Sequence, residues 1–163
     1  YILNPGNSNK IAGILEIVGP IIQSCAGKGF DAVEIDNLDT FTRFKGISKD
    51  SVFALASEYV ELAHSLGLAI GQKNTAEYSE ELQKSLGFDF AVVESCTAWN
   101  ECGDYTRVYG TQVLHIEYPT ELEDAGLKFA DACAALNRGP LMILRDLDLV
   151  ASNEISYIYE QCS

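Results

Sequence analysis

Five times along this chain a segment of helical or irregular character ends at a glycine, and a short β-rich run follows. The runs cover residues 30–36 after Gly29, 68–74 after Gly67, 88–94 after Gly87, 113–118 after Gly110 and 141–146 after Gly139. Glycine accepts the left-handed backbone that closes a helix, so each junction reads as helix to strand. A weaker run at 1–4 is expected to open the chain as a strand. Strands that alternate with helices require a parallel sheet covered by helices.

The intervening segments carry helical periodicity. Apolar residues recur at Ile11, Ile14, Leu15, Val18, Ile21 and Ile22, with a kink expected at Gly19-Pro20. Ser48 is placed to cap a second helix with Val52, Leu55, Ala56, Tyr59, Ala63 and Leu66 on one face. Tyr78, Leu82 and Leu86 suggest a third. Residues 97–109 read as a loop with a short helix. Leu122, Ala125, Phe129, Ala132, Cys133 and Leu136 mark another helix, and Ile155, Ile158 and Tyr159 a last one.

Two architectures fit, a doubly wound open sheet and a (β/α)8 TIM barrel. An open sheet often carries a glycine-rich phosphate loop after its first strand, and neither G-x-G-x-x-G nor G-x-x-x-x-G-K occurs. The barrel gathers functional residues at the C-terminal ends of its strands. Here those ends carry Glu34, Asp36 and Asn37, then Lys73 and Asn74, Glu94 and Ser95, Glu117 and Tyr118, and Arg145 and Asp146. The α/β barrel is therefore expected. A complete one takes ~250 residues, so the 163 residues are expected to form a single incomplete barrel domain over 1–163: the C-terminal two-thirds, about six strands, with the N-terminal strands missing.

Charge narrows the partners. Lys and Arg total 11 against 24 Asp and Glu, a net of −13, which argues against nucleic acid and suits a cationic ligand. With 47% hydrophobic residues a packed core is expected, and no apolar run is read as reaching the ~18 residues of a membrane span. The five cysteines form no C-x-x-C pair and only His64 and His115 are present, so no metal site and no cofactor are expected. Cys96 and Cys102 are close enough in sequence to close a small loop. Disulfides of a secreted protein and buried free thiols both remain open, with one cysteine left over by the odd count; Cys133 and Cys162 are a further possible pair.

Alternation along the strands sorts side chains by face. Ala32, Glu34 and Asp36 share one face; Phe90, Val92 and Glu94 another; Val113, His115 and Glu117 a third; Gly71 and Lys73 a fourth. Asp36, Lys73, Glu94 and Glu117 would then ring one mouth. Acids at strand ends also cap helices or close turns, the reading preferred for Asp39. Glu34 fits a buried ion pair with Lys73 as well as a ligand role. Asp36 and Glu94 each fit catalysis as well as structure. Two carboxyls facing one pocket suit glycoside hydrolysis, one protonating the leaving oxygen and the other attacking or activating water. Lys73 offers Schiff-base lyase chemistry as a rival, or simple balance of neighbouring acids. His115 and His64 read as structural. Trp99, Tyr105 and Tyr118 could stack on sugar rings, or Trp99 could be loop packing.

These segments resemble the endo-α-1,4-polygalactosaminidases, glycoside hydrolase family 114. The resemblance rests on Gly29-Phe-Asp-Ala-Val-Glu-Ile-Asp-Asn37, Gln72-Lys-Asn74, Phe88-Asp-Phe-Ala-Val-Val-Glu-Ser-Cys96 with Glu101-Cys102, and His115-Ile-Glu-Tyr118. It runs from about Gly29 to Tyr118, with a looser match around Leu144-Arg-Asp-Leu147. It implies Asp36 as nucleophile and Glu94 as proton donor, with the roles exchangeable. It places Asn37, Lys73, Asn74, Glu117 and Tyr118 on pocket-lining motifs and makes Cys96–Cys102 a small disulfide loop. Trp99 joins the substrate-binding set as a stacking ring. The implied substrate is a cationic α-1,4-linked galactosamine polymer of extracellular polysaccharide, and the implied location is extracellular. A carbohydrate-binding but inactive barrel fragment is the alternative.

Overall fold

Helix α1, Ser8–Gly27, opens the ordered elements in the computed structural model, which describes residues 2–163. The Asn7 side chain caps it by accepting from the Lys10 N–H at 3.0 Å. The helix runs on through Pro20, where the sequence suggested a kink, and turns Ile14, Gly19 and Ile22 inward. By length and composition alone the 20-residue α1 meets the size of a membrane span, although Lys10 and Glu16 interrupt its apolar residues. Of the expected opening strand, Tyr1 lies outside the described residues, and 2–4 form no strand.

Two units, Tyr1–Phe90 and Ala91–Ser163, make up the chain. In the first, strand β1 (Ala32–Ile35) is followed by the short helix α2 (Thr40–Arg43) and then by α3 (Lys49–Ser65). The Ser48 hydroxyl caps α3, accepting from the Ser51 N–H at 3.2 Å. Its apolar stripe is wider than the periodicity suggested: Phe53 and Val60 are buried with the expected residues, while Leu66 is partly exposed. Strand β2 (Ala69–Lys73) lies parallel to β1, with Ala32 opposite Ala69 and Ile35 opposite Gln72. Helices α1 and α3 pack together and against β1. A Cβ on Gly19 would lie 3.6 Å from Leu62 Cδ2, so this glycine lets the two helices approach.

The third helix is broken into a 3-10 turn at Ala76–Tyr78, one α turn, α4 (Ser79–Glu81), and a π turn at Leu82–Leu86. Phe41, Phe53 and Tyr78 meet edge to face at 5.4–6.0 Å between centroids. This geometry suits the ring quadrupoles. Lys49 lies over Phe53 and Tyr78 and bonds Glu81 at 2.7 Å. His64 is structural as expected, its Nε2 2.9 Å from Asp89 Oδ2, which also accepts the Ile70 N–H.

The second unit carries β3 (Phe90–Glu94) from its second residue on, then α5 (Cys102–Tyr109), β4 (Val113–Glu117), α6 (Pro119–Asp124), α7 (Phe129–Ala134), β5 (Leu141–Arg145) and β6 (Tyr159–Gln161). Strands β3, β4 and β5 are parallel in that order; β6 is antiparallel to β5. Two expectations are corrected here. The helix read across 122–136 is two helices, divided where Gly126 takes a left-handed φ of 73°. The last helix read from Ile155, Ile158 and Tyr159 is absent: Ile155 is fully exposed, and β6 bonds to β5. Asp146 holds this tail, accepting from the Val150 and Ile158 N–H groups, while Arg145 bonds the Ile158 carbonyl. Both suggested disulfides are present, Cys96–Cys102 and Cys133–Cys162, with Cys25 free. In both units parallel strands alternate with helices, the rule of a (β/α)8 barrel.

Candidate active site

Strands β2 to β5 end on a polar residue and β1 ends one residue before Asp36, and after β1, β2 and β3 the chain turns sharply. Asn37 follows β1 at φ 60°, Asn74 and Thr75 follow β2 at 49° and 67°, and Ser95 follows β3 at 56°. Left-handed backbone is costly for side-chain-bearing residues, least so for Asn. Such outliers concentrate at functional sites. Their position after the C-terminal strand ends is where a barrel places its chemistry.

In the first unit the register of β1 on β2, extended by one residue, sets Asp36 opposite Lys73. The Lys73 ammonium lies 3.6 Å from Asp36 Oδ1, and its side chain is only 12% exposed, against 59% for Asp36. Asn37 Nδ2 donates to Asp36 Oδ2 at 3.1 Å, and Arg43 donates to Asn37 Oδ1 at 2.7 Å and to Asp39 Oδ1 at 2.9 Å. Asp39 stands at the N-cap of α2 and, rather than capping it, holds the turn through its bond with Arg43, a structural place of the kind expected. Glu34 is exposed rather than buried. Gln72 is fully buried and donates to the Asn74 carbonyl at 2.7 Å and to Ser79 Oγ at 3.1 Å, fixing the turn after β2. Asp36, Asn37 and Arg43 line a cavity of about 450 Å³ whose other walls include Leu55 and Tyr59.

In the second unit the Tyr118 O–H donates to Glu94 Oε1 at 2.6 Å. Burial, followed by this bond to Glu94, pushes the Tyr118 phenol well up, so it stays a donor. Glu117 is fully buried, its Oε1 accepting the Thr97 N–H at 2.9 Å and its Oε2 without a hydrogen-bond partner. Burial pushes its carboxyl up. His115 is 1% exposed. Its Nε2 accepts the Gly139 N–H at 2.8 Å and its Nδ1 lies 3.0 Å from Cys96 Sγ. An Nε2 that accepts requires the neutral ring with its proton on Nδ1. Burial, and then Arg138, lower its pKa to about 4. Cys96, Cys102 and His115 are close enough together to resemble a metal cluster, but the sulfurs are tied in a disulfide, and metals take thiolates.

Sequence reasoning missed Glu121. It lies on the first turn of α6, takes a hydrogen bond from Ser95 Oγ, and its carboxyl is pushed up by burial and then by the charge of Glu94. Pro119 at the helix start was a usable signal, hidden because the stripe was counted from Leu122. Trp99, in the loop closed by Cys96–Cys102, is 67% exposed.

Comparison with known proteins follows the same lines. No curated protein matches the sequence. Among solved structures, Aspergillus fumigatus Ega3 in complex with galactosamine is 21% identical with a TM-score of 0.71, over 98% of this chain and 63% of that one. The glycoside hydrolase domain of PelA from Pseudomonas aeruginosa is 17% identical with a TM-score of 0.61, over 91% of this chain and 64% of that one. The fold is thus an α/β fold of the partial TIM-barrel kind, and the chain spans less than two-thirds of the length of either structure. The family model for glycoside-hydrolase family GH114 matches residues 1–163, the whole sequence, and the chain belongs to that family.

Proposed function

We propose that this chain, with whatever completes its barrel, hydrolyses internal linkages of an α-1,4-linked galactosamine polymer, with Asp36 and Glu94 as the acidic pair. Glycosidic cleavage needs one carboxylic acid to protonate the leaving oxygen and one carboxylate to attack the anomeric carbon or activate water. The observation that carries the reading is that both acids end parallel strands, each with a dedicated partner: Asp36 with Asn37 and Lys73, Glu94 with Tyr118. Asp36 is assigned as nucleophile and Glu94 as proton donor, with the roles exchangeable. Asn37 orients the Asp36 carboxylate, and Lys73 is its charge partner, which favours the charge-balancing role of this lysine over Schiff-base chemistry. Asn74 and Trp99 are read as substrate contacts, Tyr118 as the donor that holds Glu94, and Glu117 as a buried support of the loop after β3. A net charge of −13 suits a polymer of free amines. Two disulfides suit an extracellular site of action.

The test is reducing-end release from galactosamine oligomers and from their N-acetylated counterparts. Asp36→Asn and Glu94→Gln should each lower the rate by roughly 100-fold or more; full activity in both variants would remove the assignment. A second reading is a barrel that binds sugar without turning it over, for which the exposed ring of Trp99 gives a stacking surface. Binding with no product release from the unmodified chain would select it.

A further inference from the structure

Four side chains close a ring at the start of α6. The Tyr118 O–H donates to Glu94 Oε1 at 2.6 Å, and the Ser95 hydroxyl donates to Glu121 Oε2. Glu94 and Ser95 are consecutive at the tip of β3. Tyr118 is the N-cap of α6, and Glu121 follows three residues later, about one helical turn on. Two hydrogen bonds therefore tie the end of one strand to the start of one helix, and each bond ends on a carboxyl group. Ser95 and Tyr118 are both buried, so the packing around them holds both donors in place.

Such a ring brings two like charges together. Glu121 feels the charge of Glu94, and Tyr118 feels both. The groups around them add to the repulsion. Asp124 on α6 acts on Glu121, and Glu117 at the end of β4 is a third carboxyl within reach of Glu121. On β5, Arg145 stands across from Tyr118 by the β4–β5 register extended by one residue. Its guanidinium is already engaged with Asp146 and with the Val150 and Ile158 carbonyls. His115 on β4 is neutral, as its acceptor role toward Gly139 requires. Once one of two neighbouring carboxyls has ionised, the second proton is harder to remove, and the two titrate as a unit.

We infer that Glu94 and Glu121 form a coupled carboxyl pair that holds one proton between them, with Glu121 the positioning residue that keeps Glu94 protonated. Glu94 passes its proton to the leaving oxygen, and the water that completes hydrolysis returns one to it. Glu121 forms no bond in either step; its charge makes the Glu94 carboxylate the stronger base. The inference deepens the glycosidase reading and rests on it only for the use made of the proton.

Glu121→Gln keeps an oxygen for the Ser95 hydroxyl and removes the charge, whereas Glu121→Asp keeps the charge. The full chain, with isotope-labelled glutamate carboxyl carbons, is titrated by NMR, and the Glu94 signal is identified by its loss in Glu94→Gln. In Glu121→Gln the Glu94 midpoint should fall by about one pH unit, and in Glu121→Asp by less than about half as much. One limb of the pH–rate profile on galactosamine oligomers should move down with it. An unmoved Glu94 midpoint in Glu121→Gln, or equal shifts in the two variants, would overturn the pair, because a purely structural Glu121 predicts those results. Hydrolysis with the midpoint unmoved would remove the pair and spare the glycosidase reading. A fall confined to Glu121→Gln, in a chain that releases no reducing ends, would uphold the pair and end the reading of turnover.

Discussion

Acidification should destabilise the second unit through one ring. His115 is buried, its Nε2 already occupied as an acceptor by the Gly139 N–H, so protonation would set two hydrogens against each other and place a charge beside Arg138. The folded pKa is about 4 against 6.5 in the free residue. The unfolded chain therefore takes up a proton on His115 as pH falls through 6.5, and the folded chain only near 4. Stability from the neutral ring is complete above pH 6.5, falls as pH drops between 6.5 and 4, and levels off below. A displacement of this size corresponds to about 3 kcal/mol, a large share of the ~5–15 kcal/mol that holds an ordinary domain. The assay is urea unfolding at pH 7 and pH 4.5, for the unmodified chain and for His115→Gln. Glutamine can accept the Gly139 N–H without titrating. Other groups titrate in both proteins, so the difference between the two pH responses isolates the ring. The unmodified chain should lose roughly 2–3 kcal/mol more than the variant over this interval. Equal losses would show that the ring does not resist protonation and that its hydrogen-bond assignment is wrong.

Two further outcomes follow from particular contacts. Tyr118→Phe removes the donor to Glu94 at 2.6 Å; a hydrogen bond to a charged group is worth about 1.5–3 kcal/mol. Activity should therefore fall roughly 10–100-fold, and full activity in Tyr118→Phe would disconnect Tyr118 from the work of that carboxyl. Gly71→Ala would put a Cβ 2.4 Å from Phe90 Cε2; overpacking of this kind costs about 1–3 kcal/mol, visible as a lower melting temperature, and Phe90→Ala should restore part of the loss. No recovery in the double variant would mean that the ring is not what fills the space over Gly71.

The strands were legible because glycine marks their approach and branched apolar residues fill them; all five expected runs contain a strand that ends within a residue or two of the expected polar tip. The helices after β4 were not, since the apolar stripe from Leu122 to Leu136 is continuous in sequence and only Gly126, at φ 73°, records the break. The tail misled for a different reason. Ile155, Ile158 and Tyr159 have helical spacing, but pairing with β5 supplies the hydrogen bonds, and such non-local partners leave no local trace. At the site, alternation sorted Asp36 with Lys73, and the parallel register brings them to 3.6 Å. Glu121 escaped because it is tied to the end of β3 through Ser95, a link across 26 residues that no periodicity encodes.

The Cys133–Cys162 bond also decides how the chain answers mechanical load. Tension applied at Ser163 leaves the main chain at Cys162 and re-enters it at Cys133, so the segment between them, β5 and β6 included, bears none of it. At ~3.3–3.6 Å of reach per residue, roughly 100 Å of contour stays hidden from an extending force until the sulfurs are reduced. Unravelling from that end must begin at Cys133, within α7, and the two last strands are shielded from anything that grips and draws on the tail.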